Sequence, residues 1–368
     1  MKTLIAISGF LFLATSFNSI AQTVKIPASP DKWEVIGQAP VVENYQGREC
    51  LLIRQGGILL KDAELLDGII EADVSFTQQR GFPGFAFRYK DTNNFENFYI
   101  RPHQSGNPDA TQYTPIFNGS AGWQLYHGDG YSKAFPYKFN EWHHVKIDLH
   151  GLQADIYIDD MVKPLIQVKE MKREWQSGRM GVIAGAVPFR MANFQYTPKQ
   201  GTPPTRQAVP ANGTGGVITK WQVSNVIDRK ILDKKFQLTP DVKNKIKFTV
   251  QQSEPSGTIN LAKFTQPTDT LKTIIAKIDL ESATEQLVEM TFGFSDYVTV
   301  YLNDKAIYSG ADNFMSRDYR YLGTIGYFDQ LYLPLKKGNN EIWFVISEDF
   351  GGWGVKAKFE KMDNLILK

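Results

Sequence analysis

One cysteine, Cys50, stands in a chain of 368 residues, so no internal disulfide is available. The core must supply the stability by itself. Cys50 lies in "RECLLIR", between apolar residues, the setting of a buried structural thiol. The scarcity of Cys and His excludes a zinc finger. An excess of one charge is also missing. Lys+Arg is 41 and Asp+Glu is 39, a net charge of +2. Bulk electrostatics therefore offer nothing to nucleic acid or to an anionic membrane. Helical periodicity is nearly absent, and no short repeat recurs, which argues against solenoids and propellers.

The N-terminus reads "MKTLIAISGFLFLATSFNSIAQ". Lys2 is a short positive region, Leu4 to Phe17 is apolar, and Ser19 and Ala21 are small residues placed for cleavage before Gln22. Residues 1–21 are expected to be a secretory signal peptide. No Cys follows the small residues, so a lipid anchor is not indicated. No later apolar run approaches the roughly 18 residues of a spanning helix. The mature chain is expected to be exported, periplasmic or extracellular, with no integral membrane segment.

What is present is β-structure. "GIIEADVSF", "GFAFRY", "FYIRP", "WQLYHG", "WHHVKIDL", "ADIYIDD" and "RMGVIAG" are short β-rich runs bounded by Gly, Pro, Asn or Asp. "TPKQGTPPTRQAVPANGTGG" then has the composition of a linker, with a glycosylation sequon at Asn212. A second β-rich block follows. In it "VTVYLNDKAIYSG" is a hairpin turning at Asn303-Asp304, and "LKKGNNEIWFVI" reads as another turning at Gly338-Asn339. The fold class is all-β: two β-sandwich jelly rolls, at 22–198 and 217–368, joined by a Pro/Gly-rich linker at 199–216.

The richest stretch is "PGFAFRYKDTNNFENFYIRPH". Turning at Asp91–Asn94 pairs Lys90 with Phe95, Arg88 with Asn97, Phe87 with Phe98 and Gly84 with Arg101. Alternation then puts Phe85, Phe87, Phe98 and Ile100 on the core face. The other face carries Arg88, Asn97, Tyr99, Arg101 and His103 beside the small Gly84 and Ala86. Gln112, Tyr113, Asn118, Trp123 and Tyr126 follow downstream. Aromatic plates beside amides and guanidinium forks suit a carbohydrate. Aromatic residues make up 13% of the chain, which fits such a surface.

"LLDGIIEADVSF", "GFAFRYKDTNNFENFYIRP", "NEWHHVKIDLHGLQADIYIDD" and "GRMGVIAG" together resemble the concanavalin A-like, or laminin-G-like, jelly-roll superfamily over roughly Lys32 to Tyr196. The resemblance implies two antiparallel sheets with a concave face that often binds sugars. It extends loosely to bacterial 3-keto-disaccharide hydrolases and glycosyl hydrolases. "SDYVTVYLNDKAIYSG", "GTIGYFDQLYLPLKKGNNEIWFVISE" and "FGGWG" resemble a galactose-binding-like jelly roll. Family 16 glycoside hydrolases place three acids on one strand of the first fold. Here Glu71 and Asp73 match two of them, and Ser75 and Phe76 stand where the third would be.

Glu71 and Asp73 share a strand face at about 7 Å, a spacing an inverting pair uses. No catalytic set is recognisable by spacing; Glu71, Asp73 and His103, a base without a nearby nucleophile, are the candidates should the chain be a hydrolase. His143 and His144 are adjacent and point to opposite faces, so they cannot share a metal. In the second block "GADNFMSRDYR" gathers Asp312, Asn313, Arg317, Asp318 and Arg320, either a loop for sugar or, of the ions, calcium, or a surface loop laced with ion pairs; no other cofactor or metal is indicated. Trp353, among three glycines, is either a stacking platform or a core residue. The expectation is an exported protein that binds a poly- or oligosaccharide through the polar concave face of the first sandwich. Its alternatives are a glycoside or modified-disaccharide hydrolase with an atypical active site on that face, and a structural or adhesion protein that binds nothing small.

Overall fold

The computed structural model describes residues 22–185, 187–201, 203–205, 209, 214–232, 235–318 and 322–368. The expected signal peptide, the sequon's Asn212 and Arg320 lie outside them. Two antiparallel sheets form the first sandwich. The back sheet runs in the order Ile166–Val168, Gln153–Ile158, His143–His150, Asp67–Phe76, Phe189–Lys199, Arg48–Ile53, Val41–Tyr45. The front sheet runs Ser120–Ala121, Thr111–Phe117, Asn94–Ile100, Gly84–Asp91, Arg179–Gly185, Gly56–Leu60, Trp33–Gly37. Alternation explains the layers. In Asp67–Phe76, Ile70, Ala72, Val74 and Phe76 enter the core, while Glu71 and Asp73 face outward. Phe85, Phe87, Phe98 and Ile100 meet them from the front sheet. Cys50 is buried.

The second sandwich pairs a sheet ordered Phe248–Gln252, Lys220–Ser224, Leu271–Ser282, Gly338–Ser347, Tyr297–Leu302, Lys305–Ala311 with a four-stranded sheet ordered Ile259–Asn260, Gly354–Phe359, Gln286–Ser295, Asp329–Leu335. Trp221, Phe292, Phe344 and Trp353 sit between them. The Asn303-Asp304 hairpin forms as expected: Leu302 pairs with Lys305, and the turn residues have φ of 47° and 72°. Both residues tolerate that left-handed backbone, which a two-residue turn requires. Gly338 makes no second hairpin. It carries the chain from one sheet to the other, so Asp329–Leu335 and Gly338–Ser347 never pair. The Asn340 amide ties this corner, accepting from Lys336 N and donating to its carbonyl.

The sandwiches meet along a seam. Phe117, at the end of a front-sheet strand, is packed in the second sandwich's core. "WQLYHG" is a turn there and not a strand. Gly122 O accepts from Leu125 N and Tyr126 N, Gln124 N donates to Gly351 O at 2.9 Å, and Leu125 packs on Ile325. The turn's apolar residues are spent on a neighbouring unit, which the alternation of a short run does not reveal.

Candidate functional site

The hairpin begins as expected, with Asp91 opposite Asn94. Asp91 Oδ1 accepts from Asn93 N and Asn94 Nδ2, which tightens the turn. Then the register shifts: Phe87 pairs with Glu96, Ala86 with Asn97, Phe85 with Phe98 and Gly84 with Tyr99. A bulge absorbs the excess, and Arg88 takes a φ of 44°. Arg88 is thereby removed from the outward row. It lies buried between the sheets, donating to Leu66 O at 3.0 Å, Asp67 Oδ1 at 2.9 Å and Gly151 O at 2.6 Å. Tyr113 also departs from expectation. It faces the core, donates to Glu96 Oε2 at 2.7 Å and accepts from Lys172 N at 2.8 Å. Alternation sends Gln112 outward and Tyr113 inward, opposite Phe98. Neither Arg88 nor Tyr113 can meet a ligand on the outward face.

Tyr99, Arg101, Gln112 and Trp123 do come together. Arg101 Nη2 donates to the Tyr99 hydroxyl at 2.7 Å, which donates to Gln112 Oε1 at 2.9 Å. Gln112 Nε2 donates to the carbonyls of Trp123 and Tyr126 at 2.9 and 2.6 Å. Arg101 Nη1 donates to Asp109 O at 2.6 Å. Its guanidinium also lies 4.8 Å from the Tyr99 ring and 5.5 Å from that of Trp123. These groups hold one another and the seam turn, so their polar capacity is used internally. Asn118 and Tyr126 likewise cross the seam, to Ala262 O at 2.8 Å and to Glu254.

Two polar groups remain on the outward face. Asn97 is half-buried, and its Oδ1 has no partner. Beside it stand Ala86 across the hairpin and Thr114 on the next strand, with Gly84 opposite Tyr99. His103 sits in a 3-10 turn, Pro102–Gln104, rather than on the strand. Its Nδ1 has no partner. Burial, with Arg80 and Arg101 nearby, holds its pKa below the ordinary value, so the ring is neutral at pH 7.

Past Tyr99 the outward face ends in an aromatic ridge. The Phe82 ring lies 5.9 Å from Tyr99, 5.6 Å from His103 and 5.9 Å from the Arg101 guanidinium. Across Arg101 comes Trp123, itself 5.7 Å from Phe350 and 6.4 Å from Phe314 of the second sandwich. The inner members are buried, but Phe82 is 44% exposed and Phe350 is 58% exposed. Alternation could not find either ring, because five separate segments, at Phe82, Tyr99–His103, Trp123, Phe314 and Phe350, supply the ridge. Phe82 adjoins Pro83 in a loop. In "EDFGGWG" the structure exposes Phe350 and buries Trp353, whose Nε1 donates to Ile346 O at 3.3 Å; Trp353 is a core residue.

Glu71 and Asp73 lie on the outward face of the back sheet, one sheet away from the row. His144 bridges them, with Nδ1 2.8 Å from Asp73 and Nε2 3.5 Å from Glu71. Arg48 and Asn193 donate to Asp73 Oδ2, each at 2.6 Å, and Gln195 donates to Glu71 Oε2 at 2.8 Å. Burial raises the Asp73 pKa, but hydrogen bonds from His144 and Asn193 together with the charges of Arg48 and His144 outweigh it and hold the carboxyl below its ordinary value. That is the reverse of what a general acid at neutral pH needs. His143 points inward, with Nδ1 2.7 Å from Asp159. In the second sandwich Arg317 pairs with Asp312 at 3.0 Å and Asp329 at 2.6 Å, and Asp318 follows it on that loop. Among the described residues no group of three or more His, Cys, Asp or Glu could hold a metal ion.

The bridge predicts a pH effect. The hydrogen bond and charge of Asp73, then Glu71, raise the His144 pKa. A raised pKa stabilises fully below the unfolded value, about 6.5, and the gain is lost as pH rises through the folded value. His144→Asn should therefore lower stability at pH 6 more than at pH 8.5. The difference should be roughly 0.5 kcal/mol, since the ring is partly solvated. Urea titrations at the two pH values measure it; equal losses would remove the bridge's protonation from the account.

No family model and no curated protein matches the sequence. Solved structures match about half of the chain. A carbohydrate-binding module, CBM66, from Bacillus subtilis is 19% identical, covering 45% of this chain and 94% of its own, with a TM-score of 0.34. A protein of unknown function with a galectin-like fold, also from Bacillus subtilis, is 11% identical over 46% of this chain and 90% of its own, TM-score 0.35. Domain 4 of an extracellular arabinanase from Geobacillus stearothermophilus, solved with arabinotriose, is 11% identical over 51% of this chain and 87% of its own, TM-score 0.31. At such scores these likenesses say nothing of what this chain binds.

Proposed function

We propose that the protein is an exported carbohydrate-binding protein whose site is the ridge at the end of the front sheet's outward face. One observation carries this: Phe82 and Phe350, from different sandwiches, are half-exposed rings held in place by a buried stack of Arg101 and Trp123. The C–H faces of a sugar stack on such rings. The neutral His103 ring lies 5.6 Å from Phe82, and its Nδ1, like Asn97 Oδ1 on the same face, is buried without a partner. A rigid platform loses little entropy on binding. Binding without cleavage is favoured because the carboxylates Glu71 and Asp73 are on the other sheet and hydrogen-bonded within the protein. Among the described residues no helix is long and apolar enough to cross a membrane.

A glycan array and polysaccharide pull-down with the full chain, run beside a Phe82→Ala, Phe350→Ala variant, tests this. Both rings are partly exposed, so the melting point should barely move. Losing two stacking surfaces should cost about 2 kcal/mol, roughly thirtyfold in affinity. A wild-type chain that retains no glycan, or a variant that binds equally well, would overturn the proposal. Sugar products in the bound fraction would point to a hydrolase instead.

A further inference from the structure

Leu125, Tyr126, His127 and Tyr131, in and just after the seam turn, form one wall of a cavity of about 380 Å³ between the sandwiches. Trp123 is not part of its lining. The charges inside are nearly balanced. Lys172 lies 3.1 Å from Glu170 and 2.9 Å from Glu254, and Lys263 is 3.2 Å from Glu254. Lys172 thus bridges the two carboxylates, and Lys263, outside the lining, adds a second ammonium group to Glu254. Lys356, which also lines the cavity, is left over. Its Nζ rests 4.4 Å from the centre of the Tyr327 ring and makes no direct ion pair; Glu254 acts on it only as a charge at longer range. A half-buried cation with no directly paired counter-ion is costly, and an anionic ligand would relieve that cost.

The lining also limits which anion. Glu170 and Glu254 would repel a phosphate or sulfate dianion. The same carboxylates accept hydrogen bonds from ligand hydroxyls, as do the Ser256 and Thr258 side chains; Tyr126 and Tyr131 add ring surface. One negative charge and several hydroxyls meet all of these groups. We infer that the seam cavity is a second ligand site, taking a sugar unit with a single carboxylate, a uronic acid, whose carboxylate pairs with Lys356. The inference stands whether or not the ridge binds glycan, because the two share no residue.

Titration calorimetry of the full chain with D-glucuronate and D-galacturonate tests it, with glucose, acetate and inorganic phosphate as comparison ligands. At least one uronate should bind, and Lys356→Gln should weaken it by at least roughly tenfold, the cost of losing a charged hydrogen bond. The Phe82→Ala, Phe350→Ala variant should bind it normally. Glucose and acetate, each with half the recognised groups, should bind more weakly. In the wild-type chain, the bound uronate should also slow modification of Lys356 by an amine-reactive reagent, which keeps the test open if Lys356→Gln fails to fold. The inference is overturned by no uronate binding, by unchanged affinity in Lys356→Gln, by acetate or phosphate binding as tightly as the uronate, or by no protection of Lys356.

Discussion

Arg88→Met should destabilise the first sandwich by about 3–5 kcal/mol, the range for breaking a buried ion pair from one side. Arg88 is 2% exposed. Asp67, its partner, is also buried and accepts from Trp175 Nε1 and Gly151 N, each at 3.0 Å. Methionine fills much of the space, so lost volume is a small part of the effect. The Leu66 and Gly151 carbonyls lose their charged donor, and Asp67 loses its cation. Glu96, fully buried nearby, suffers too. Burial already raises its pKa, and Arg88 is among the cations offsetting that. Urea unfolding measures the loss. Arg88→Met with Asp67→Asn should cost less than the sum of the single changes, because the two share one interaction. A loss under about 1 kcal/mol for Arg88→Met would return Arg88 to the surface row that alternation proposes.

Arg88 also marks the limit of what a sequence discloses. Parity alone correctly sorted Phe85, Phe87, Phe98 and Ile100 inward from Asn97 and Tyr99 outward. Parity is local, set by backbone geometry. A bulge is not. The shift between Phe87 and Asp91 exists because a buried guanidinium finds Leu66, Asp67 and Gly151, all distant in sequence. Asn303-Asp304 was legible because its two residues carry the turn's chemistry themselves. Gly338 was not, because the choice between hairpin and corner rests on which sheet each strand joins. The same holds for the ridge. Tyr99, Arg101 and Gln112 were visible as a polar row, but their use as internal supports depends on Trp123 and the second sandwich behind it.

Arg101→Ala should cost about 3 kcal/mol, from two charge-assisted hydrogen bonds and the stacking on three rings. Its consequences should spread across the seam. Arg101 braces Trp123, and Trp123 is the residue through which the ridge reaches Phe350. Without that brace the ridge end of the seam should loosen while Phe117, Asn118 and Tyr126 still hold the rest, and the thermal transition should broaden. Arg101→Lys keeps the charge but not the planar fork that spans Asp109 and Tyr99, so it should recover less than half of the loss. Glycan binding would then fall as a consequence of lost order, in step with the melting curve. An Arg101→Ala chain that melts like the wild type yet binds no glycan would show the opposite. Arg101 would then be a direct ligand group, as the alternation of "NFYIRPH" implies, and the exposed rings of Phe82 and Phe350 would be bystanders to a site formed by the row itself.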